Sequence, residues 1–409
     1  MSRRLVIVAL AIAPLGLGAL LLRVDAQPLE TKRPRTFAVG ISRAGSPCDR
    51  GDTARRGFSF APLPKGPLTV AWRQHVGSSL DRAPLTDDRG HVFALTSRGE
   101  VVTLKHDDGS EIARVTTGAS SPGPAALLSD GTVVFVSQSG DAIGTRNEVL
   151  RFRTRVSTPG DTAGAPLPLE DGGVAIATSS ELLVLDNEGG IRSRARSAET
   201  ITSPLVAARG GVLGVARSGV VYAWEPGRDP VRVGDFGGPT EGAAYSEGQL
   251  FAVVSNRRLV ALDPRSGNVE PRLERVGAVV LGPPALWGAT AHVFSLGALG
   301  TSLVAVGTEA RELTRFASGL WVSSDGGAAA LPPAVGALVD GVGTVAFVTP
   351  EGELGVVGAG GLPAFVDNPC GGRLGTRRQV VALAPGDGAG FVFACANGSI
   401  AKVTGVDAR

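Results

Sequence analysis

The stretch GHVFALTSRGEVVTL, residues 90–104, contains two short runs of apolar residues with a polar turn between them. Apolar side chains alternate with polar or smaller ones, and this period of two is typical of half-buried strands. The turn contains Gly99, and glycine accepts the positive φ that tight turns require. The stretch therefore predicts a strand, a turn and a second strand.

The same phrase recurs along the chain at a regular spacing. From Gly90 to Gly390, 300 residues cover seven steps, or about 43 residues a step. That spacing matches four-stranded propeller blades, and the alternation excludes helical repeats. Copies two, six and seven are less regular, so their blade boundaries stay open. The eight copies begin at Gly90, Gly131, Gly172, Gly210, Gly248, Thr290, Gly343 and Gly390.

Each copy has characteristic flanks. A strand of small residues precedes it, as in APLTD (83–87), and a polar or Arg-rich strand follows, as in EIARVTT (111–117). Small side chains suit the crowded strand nearest a propeller axis, and charges on the outermost strand protect an exposed edge. We predict an all-β fold, an eight-bladed β-propeller of four-stranded antiparallel blades.

The final copy, ending in SIAKVTGVDAR (399–409), has no outer strand, whereas GPLTVAWRQHV (66–76) is a strand with no partner before it. A closed ring leaves only short, protected edges, so we expect Leu68–Val76 to supply the missing strand of the last blade. The predicted organisation is an N-terminal segment (1–26), an extended lead-in (27–65) and a propeller (66–409).

The N-terminal segment has the features of an export signal. Arg3 and Arg4 precede an apolar run from Leu5 to Leu22, and small residues follow around Ala26. A run of this length is also at the threshold for spanning a membrane, so both a cleaved signal and a retained anchor stay open. In either case we expect everything after residue 26 to lie outside the cytoplasm, in the periplasm or at the cell surface.

The balance of charged residues argues against nucleic acid as a partner. Lys and Arg total 40 against 38 Asp and Glu, a net charge of +2, which excludes the dense basic surface that nucleic acid binding requires. Glycine is abundant at 58 residues, as expected for a chain with many tight turns. We expect a monomer.

Two stretches resemble the quinoprotein-like β-propeller family, whose repeats carry the pyrroloquinoline-quinone signature. They run from CDRGDTARRG to GSEIARV (48–115) and from GQLFAVV to VEPRL (248–273). The Asp–Gly turn of that family is present at Asp107–Gly109 and Asp263–Gly267, and its outer-strand tryptophan at Trp72. The resemblance implies a ring of blades that serves either as a quinone-dependent dehydrogenase or as a cofactor-free scaffold.

A dehydrogenase of this family needs a quinone over the ring centre, a metal ion held by oxygen ligands and an acidic base. The resemblance also implies an adjacent pair of cysteines near the quinone, and this sequence has none. We therefore predict a non-enzymatic module without cofactor or metal that binds protein partners through loops of the propeller face. A propeller that binds a carbohydrate or small ligand is the alternative, and a quinone-dependent dehydrogenase is less favoured.

Other patterns have both a functional and a structural interpretation. The acids of KHDDGSE, LDNEGG and LDPRSG could bind metal, but Asp and Gly are also what hairpin turns require. The four histidines lack zinc-type spacing. RFRTRV (151–156) and RSRARS (192–197) could form a basic patch for lipid headgroups, but their alternation favours solvated outer strands. Arg50-Gly51-Asp52 spells an adhesion tripeptide, which we attribute to the lead-in.

Three cysteines, Cys48, Cys370 and Cys395, follow the export segment, and disulfides persist outside the cytoplasm. Cys395 ends the second strand of the last blade and Cys370 lies in the loop before its first strand, so both fall at the same end of that blade. We predict a structural disulfide between Cys370 and Cys395, with Cys48 bonded to either of them as the alternative.

Overall fold

The structure is a computed structural model. It describes residues 45–406 except 162–163, 209–210, 275–278, 298–299, 317–334, 350–351, 359, 372–379, 387 and 389. The chain divides into two compact units, Met1–Arg35 and Thr36–Arg409, and the first lies outside the described residues, as does the predicted export segment. Within the described ranges, every assigned element of secondary structure is a β-strand. No helix there has the length and hydropathy needed to cross a membrane.

The strands are numbered in chain order. Two precede the first blade, β1 (Phe58–Ser59) and β2 (Leu68–His75). Blades 1 to 4 contain β3 (Leu85–Thr86), β4 (His91–Leu95), β5 (Glu100–Lys105), β6 (Glu111–Thr116), β7 (Pro122–Leu127), β8 (Val133–Ser137), β9 (Asp141–Arg146), β10 (Val149–Arg155), β11 (Leu167–Pro168), β12 (Val174–Ala177), β13 (Glu181–Leu185), β14 (Ile191–Arg196), β15 (Val206–Ala208), β16 (Gly211–Val215), β17 (Val220–Trp224) and β18 (Val231–Asp235).

The second half of the ring continues the series. Blades 5 to 8 contain β19 (Thr240–Ser246), β20 (Gln249–Val254), β21 (Arg258–Leu262), β22 (Val269–Glu274), β23 (Val279–Trp287), β24 (Thr290–Gly297), β25 (Gly300–Val306), β26 (Ala310–Phe316), β27 (Leu338–Asp340), β28 (Val345–Val348), β29 (Leu354–Val357), β30 (Ala364–Phe365), β31 (Val380–Pro385), β32 (Phe391–Cys395) and β33 (Ser399–Gly405).

These strands form eight separate sheets, which confirms the predicted eight-bladed propeller. Apart from the N-terminal strands β1 and β2, the strands of each sheet follow one another as an antiparallel meander in chain order. The innermost strand of each blade is the one that precedes a repeat copy, such as β3 or β7. Its small residues, for example Ala125 and Ala126 of β7, let neighbouring blades approach closely at the axis. The outermost strands carry the exposed arginines that the sequence pattern predicts.

Apolar residues between the blades hold the ring together. Eight buried clusters occur among the described residues, and each draws its members from two adjacent blades. The cluster that contains Val392 of blade 8 and Val92 of blade 1 connects the last blade to the first. In a closed circle every blade has a neighbour on both sides, so no apolar interblade face is left exposed to water. Each Å² of apolar surface buried in this way stabilises the fold by about 25 cal/mol.

The ring closes as predicted, with β2 as the outer strand of blade 8. It pairs antiparallel with β33, from Leu68 opposite Gly405 to His75 opposite Ser399. Trp72 of this strand packs on Gly109 in blade 1, where a Cβ would lie 2.5 Å from the indole ring, and Gly109 has a φ of +72°. The Trp72 Nε1 donates a hydrogen bond of 2.8 Å to the His106 carbonyl. Glycine in this turn therefore makes room for the tryptophan that joins the last blade to the first.

Blade 7 departs from the predicted pattern of four antiparallel strands. The two-residue strand β1 pairs parallel with β27, with Phe58 opposite Val339 and Ser59 opposite Asp340, and makes a fifth strand. A strand that pairs parallel with its neighbour cannot be joined to it by a tight hairpin. β1 instead comes from the lead-in, which occupies the inner edge of the blade.

Candidate functional site

Residues 45–60, which we call the axial segment, lie along the axis of the ring. Successive carbonyl groups of this segment accept hydrogen bonds of 2.6–2.9 Å from backbone N–H groups of the inner strands. These N–H groups face the channel, where within the described chain only β27 has a further strand, β1, beside it. The segment therefore satisfies donors that burial would otherwise leave unpaired. The pairs are Leu127 N–H to Pro47, Ala207 to Thr53, Tyr245 to Ala54, Leu286 to Arg56 and Val339 to Gly57.

The three remaining blades also contact the axial segment. Ser46 and Thr86 of blade 1 exchange two backbone hydrogen bonds, of 2.8 and 3.1 Å. Gly51 lies against blade 8, where a Cβ would be 3.4 Å from the Pro385 ring, and Arg55 binds residues just before the inner strand of blade 3. Only a segment on the axis can contact all eight blades, so the lead-in fills the central channel.

Arg55 anchors the axial segment. Its side chain is fully buried, and its Nε donates to the Leu205 carbonyl at 2.7 Å. Its Nη2 donates to the carbonyls of Ala165 and Pro166, both at 3.1 Å, and Nη1 donates to the carbonyl of Asp49 at 3.0 Å. The planar guanidinium presents several donors in a fixed fork, which suits several carbonyl groups at once. One side chain therefore joins the segment to blades 3 and 4.

The tripeptide Arg50-Gly51-Asp52 is part of this buried segment. The Asp52 side chain accepts hydrogen bonds from the backbone N–H and Nε of Arg56. Cys48 is also buried, and its Sγ donates to the Asp52 carbonyl at 3.1 Å. Burial raises the pKa of the Cys48 thiol to about 12, so it stays protonated at neutral pH. An adhesion receptor could not reach the tripeptide here.

A cavity of about 230 Å³ opens where the inner strands begin. Asp49 and Arg50 of the axial segment line it together with residues that lie in or just before the inner strands of blades 1, 2, 6, 7 and 8. The axial segment thus closes the channel, and the cavity is the space that remains at this mouth of the ring.

The acids in the predicted Asp–Gly turns serve the turns themselves. Asp108 Oδ1 accepts from the backbone N–H and the hydroxyl of Ser110, and Asp186 Oδ1 accepts from the N–H groups of Glu188 and Gly190. These hydrogen bonds lower the pKa of Asp108. In the described part of the chain, no three or more His, Cys, Asp or Glu side chains come together as a metal site would require.

The histidines are dispersed, as the spacing suggests, but two are core residues. His106 and His292 are buried, whereas His75 is exposed and His91 is half-buried, with its Nδ1 2.8 Å from Asp87 Oδ2. Burial lowers the pKa of His292 to about 4. This histidine is therefore neutral at physiological pH.

Ion pairs neutralise much of the two basic stretches. Arg153 and Arg155 on β10 both lie within 3.6 Å of Asp141. On β14, Arg192 pairs with Asp171, and Arg194 pairs with Glu181. Paired guanidinium groups on solvated outer strands favour the structural interpretation over a lipid-binding patch.

Cys370 and Cys395 form a disulfide in the structure, with Cα atoms 5.8 Å apart. Both belong to the buried cluster between blades 7 and 8. The bond joins the loop that leaves blade 7 to the second strand of blade 8. Cys48, the third cysteine, lies in the axial segment and is not disulfide-bonded.

Comparisons with known proteins agree with this architecture. A family model described as "Outer membrane protein assembly factor BamB" matches residues 69–269. The crystal structure of BamB from Moraxella catarrhalis superposes with a TM-score of 0.57 at 15% sequence identity, covering 84% of this chain and 99% of that one. This chain is a quinoprotein-like β-propeller. No curated protein sequence matches it.

The crystal structure of the computationally designed Ika8 protein is also similar to this propeller. It superposes with a TM-score of 0.64 at 13% identity and covers 81% of this chain and 98% of that one. At such identities the likeness concerns the fold alone.

The described residues of this quinoprotein-like propeller do not fit a quinone and its metal ion. The ring axis is filled by the axial segment, and its one fully buried acid, Asp52, is paired with Arg56. The described chain also has no group of metal-binding side chains. The described residues at the axis therefore do not match the cluster of cation ligands and the acidic base that this chemistry needs.

The outer edge of the propeller carries a row of exposed aliphatic residues, which we call the rim arc. The outer strands of blades 2 to 5 each begin with such a residue, and equivalent strand starts lie at the same end of the ring. Single exposed apolar residues are ordinary on protein surfaces, but their repetition at one position of four consecutive blades is a pattern. The members are Val149, Ile191, Val231 and Val269, with exposures of 54%, 42%, 60% and 37%.

Proposed function

We propose that this protein is an exported, non-enzymatic scaffold that binds a protein partner in the cell envelope. The observation that carries the proposal is the axial segment, which occupies the position where a quinoprotein dehydrogenase would hold its cofactor. With its axis filled, the propeller offers its ends and its outer edge as binding surfaces. Propellers owe their functions to surfaces of this kind, added to a common frame.

The family match supports a role in binding proteins. The matching family and one matching structure are those of BamB, whose family description is an outer membrane protein assembly factor. We extend to this chain the general character of that role, the binding of protein partners. No residue of a BamB interface is transferred, because an identity of 15% supports the fold and not a site.

Export is supported by the N-terminal sequence and by the cysteines. Residues 1–26 have the charge and hydropathy of a signal peptide or signal anchor. A disulfide between Cys370 and Cys395 suits an oxidising compartment. We propose a periplasmic or cell-surface monomer, held at the membrane by its N-terminus where the signal is retained.

The rim arc is the surface we assign to the partner. Its aliphatic side chains are exposed on the outermost strands and are spaced by one blade each. A protein partner that spans several blades would bury these side chains, and burial of apolar side chains is the main favourable term in most protein association.

Affinity capture from cell envelopes tests the proposal. We expect the native protein to retain a stoichiometric partner, and we expect the triple variant Val149→Ser, Ile191→Ser, Val231→Ser to lose it. Val342→Ser is the matched control, because Val342 is 57% exposed and lies outside the rim arc. Capture of no stoichiometric protein, or equal capture by the triple variant, would argue against the proposal.

Enzymatic assay tests the non-enzymatic part. After incubation with pyrroloquinoline quinone and calcium, we expect no quinone absorbance on the purified protein and no dye-linked oxidation of alcohols. Robust turnover would overturn this part of the proposal and leave the rim arc to be tested separately.

A further inference from the structure

The cavity at the mouth of the ring has a mixed lining. Its walls are apolar, and its charged residues come from the axial segment and from the loop before β3. Its volume of about 230 Å³ lies below the roughly 300–1,000 Å³ of pockets that hold drug-sized molecules. The apolar wall residues include Ala83, Pro124, Ala125, Pro283, Val335 and Leu383.

Arg50 is the charged residue of this lining that is most deeply buried, with 9% of its surface exposed. Its Nη2 donates to the Pro284 carbonyl at 2.6 Å. The guanidinium packs closely against two glycines, since a Cβ at Gly336 would be 3.2 Å from Nε and one at Gly57 would be 2.9 Å from Nη2. The group is therefore fixed at the base of the cavity by its surroundings.

The remaining donors of Arg50 lack acceptors. Its Nε and Nη1 are buried and have no hydrogen-bond partner in the described chain, and no carboxylate forms an ion pair with it there. Burial lowers the pKa of Arg50 to about 10, so the side chain stays charged at neutral pH. The carboxylates of Asp49 and Asp52 favour this charge through space but do not bond to it. Because a buried charge with unbonded donors is costly, an anion that accepts from Nε and Nη1 would compensate it further.

The backbone at Arg50 supports a specific role for this side chain. Its φ of +70° lies in the left-handed region, which glycine adopts readily and arginine rarely does. Residues held in such conformations cluster at functional sites, and each costs on the order of 1–3 kcal/mol. A strained arginine at this position is consistent with a task for its guanidinium.

The other charges near the cavity are closer to solvent. Asp81 and Arg82 pair with each other at 3.5 Å, and their side chains are 58% and 39% exposed. The Arg82 Nε is nevertheless buried without a partner, and Asp49 is half-buried. Solvent screens the exposed charges more than a buried one, so Arg50 dominates the base of the cavity and Arg82 adds a second cation at its edge.

We propose that this cavity binds the carboxylate of a small ligand, with Arg50 as its main cationic partner and Arg82 as a second. Guanidinium groups match carboxylates in geometry, and the apolar walls suit a short aliphatic body, which inorganic phosphate lacks. The ligand is either a free small carboxylic acid or the C-terminal carboxylate of a chain. This site is separate from the rim arc and does not depend on it.

Isothermal titration of the native protein tests the proposal with isobutyrate, N-acetylalanine and N-acetylalanine amide. We expect both carboxylates to bind and the neutral amide not to bind. Tighter binding of N-acetylalanine than of isobutyrate would identify a chain terminus as the ligand, and equal binding would identify a free acid. Binding of the amide as strong as that of the acid would overturn the proposal.

Three variants separate the site from general charge effects. Arg50→Gln should weaken carboxylate binding at least about tenfold, the scale of one lost hydrogen bond to a charged group. Arg82→Gln should weaken it several-fold and serves where Arg50→Gln does not fold. Arg98→Gln is the matched control, because Arg98 is exposed and lies outside the cavity lining. Native affinity in folded Arg50→Gln or in Arg82→Gln would contradict the proposal.

Discussion

Arg55 shows how one side chain can stabilise a ring. Of its four hydrogen bonds to backbone carbonyls, three reach residues that are more than 100 positions away in the sequence, and the fourth goes to Asp49 within the axial segment. We expect Arg55→Met to lower the free energy of unfolding by on the order of 3 kcal/mol, because hydrogen bonds to charged groups are worth about 1.5–3 kcal/mol each. Urea denaturation measures the change. Arg89→Met, at an exposed turn, is the control, and an equal effect of the two substitutions would contradict the role of Arg55.

His292 makes stability depend on pH. Its pKa falls from 6.5 to about 4 on folding, so the unfolded chain binds more protons than the folded one between these values. Stability should therefore decrease as pH falls from 6.5 to 4, by about 3 kcal/mol from this group. Thermal unfolding of His292→Gln should show a flatter pH profile over this interval, and His75→Gln should not. Identical profiles for all three proteins would rule the effect out.

At the scale of single elements, the disulfide is the feature whose removal has the clearest expected cost. It closes a loop with a sequence separation of 25 residues, for which the chain-entropy model gives on the order of 3 kcal/mol. The double variant Cys370→Ser, Cys395→Ser should unfold at lower urea concentration by that amount. Reducing agent should destabilise the native protein likewise and leave the double variant unchanged. Equal midpoints with and without the disulfide would exclude a stabilising role.

The elements that could be predicted from sequence are those with local signals. Each repeat copy alternates apolar and polar residues over two strands with a glycine turn between them, and burial between blades enforces that alternation. The unpaired strand at Leu68–His75 was recognisable because the last copy lacked an outer strand. The repeat copies of blades 6 and 7 begin at Thr290 and Gly343, a longer step than the average of about 43 residues. The repeat pattern does not include the extra residues, so it could not predict the boundaries of these blades.

The axial segment had no such signal. Residues 45–60 lack alternation and are rich in Arg, Gly and Asp, which is the composition of an exposed tail. Their order comes from distant partners, since the acceptors of Arg55 and the donors to Thr53 and Gly57 belong to different blades. The two-residue strand β1 and the cavity at Arg50 follow from that placement. The strongest sequence signal in the segment was the adjacent pair Arg55 and Arg56, between Gly51 and Gly57.

For the whole molecule, two N-terminal stretches complete the ring in different ways. β2 supplies the outer edge of blade 8, and the axial segment fills the channel and contacts every blade. β2 pairs with the C-terminal strand β33, and the axial segment bonds to inner strands throughout the chain, so N-terminal residues contact both the end and the middle of the chain. The consequence for function is that the axis is occupied by the protein itself, which leaves the outer edge and the mouth cavity as binding surfaces.

Hydrogen–deuterium exchange of the native protein, read by mass spectrometry, tests this account most directly. Backbone groups in a buried hydrogen-bonded segment exchange only on opening of the surrounding structure. Peptides that cover residues 45–60 should therefore exchange much more slowly than exposed turns, and the N–H groups of the outer strand β2 (68–75) that pair with β33 should also be protected. Rapid exchange of residues 45–60, at the rate of exposed turns and with the blades still protected, would show that the segment does not fill the channel.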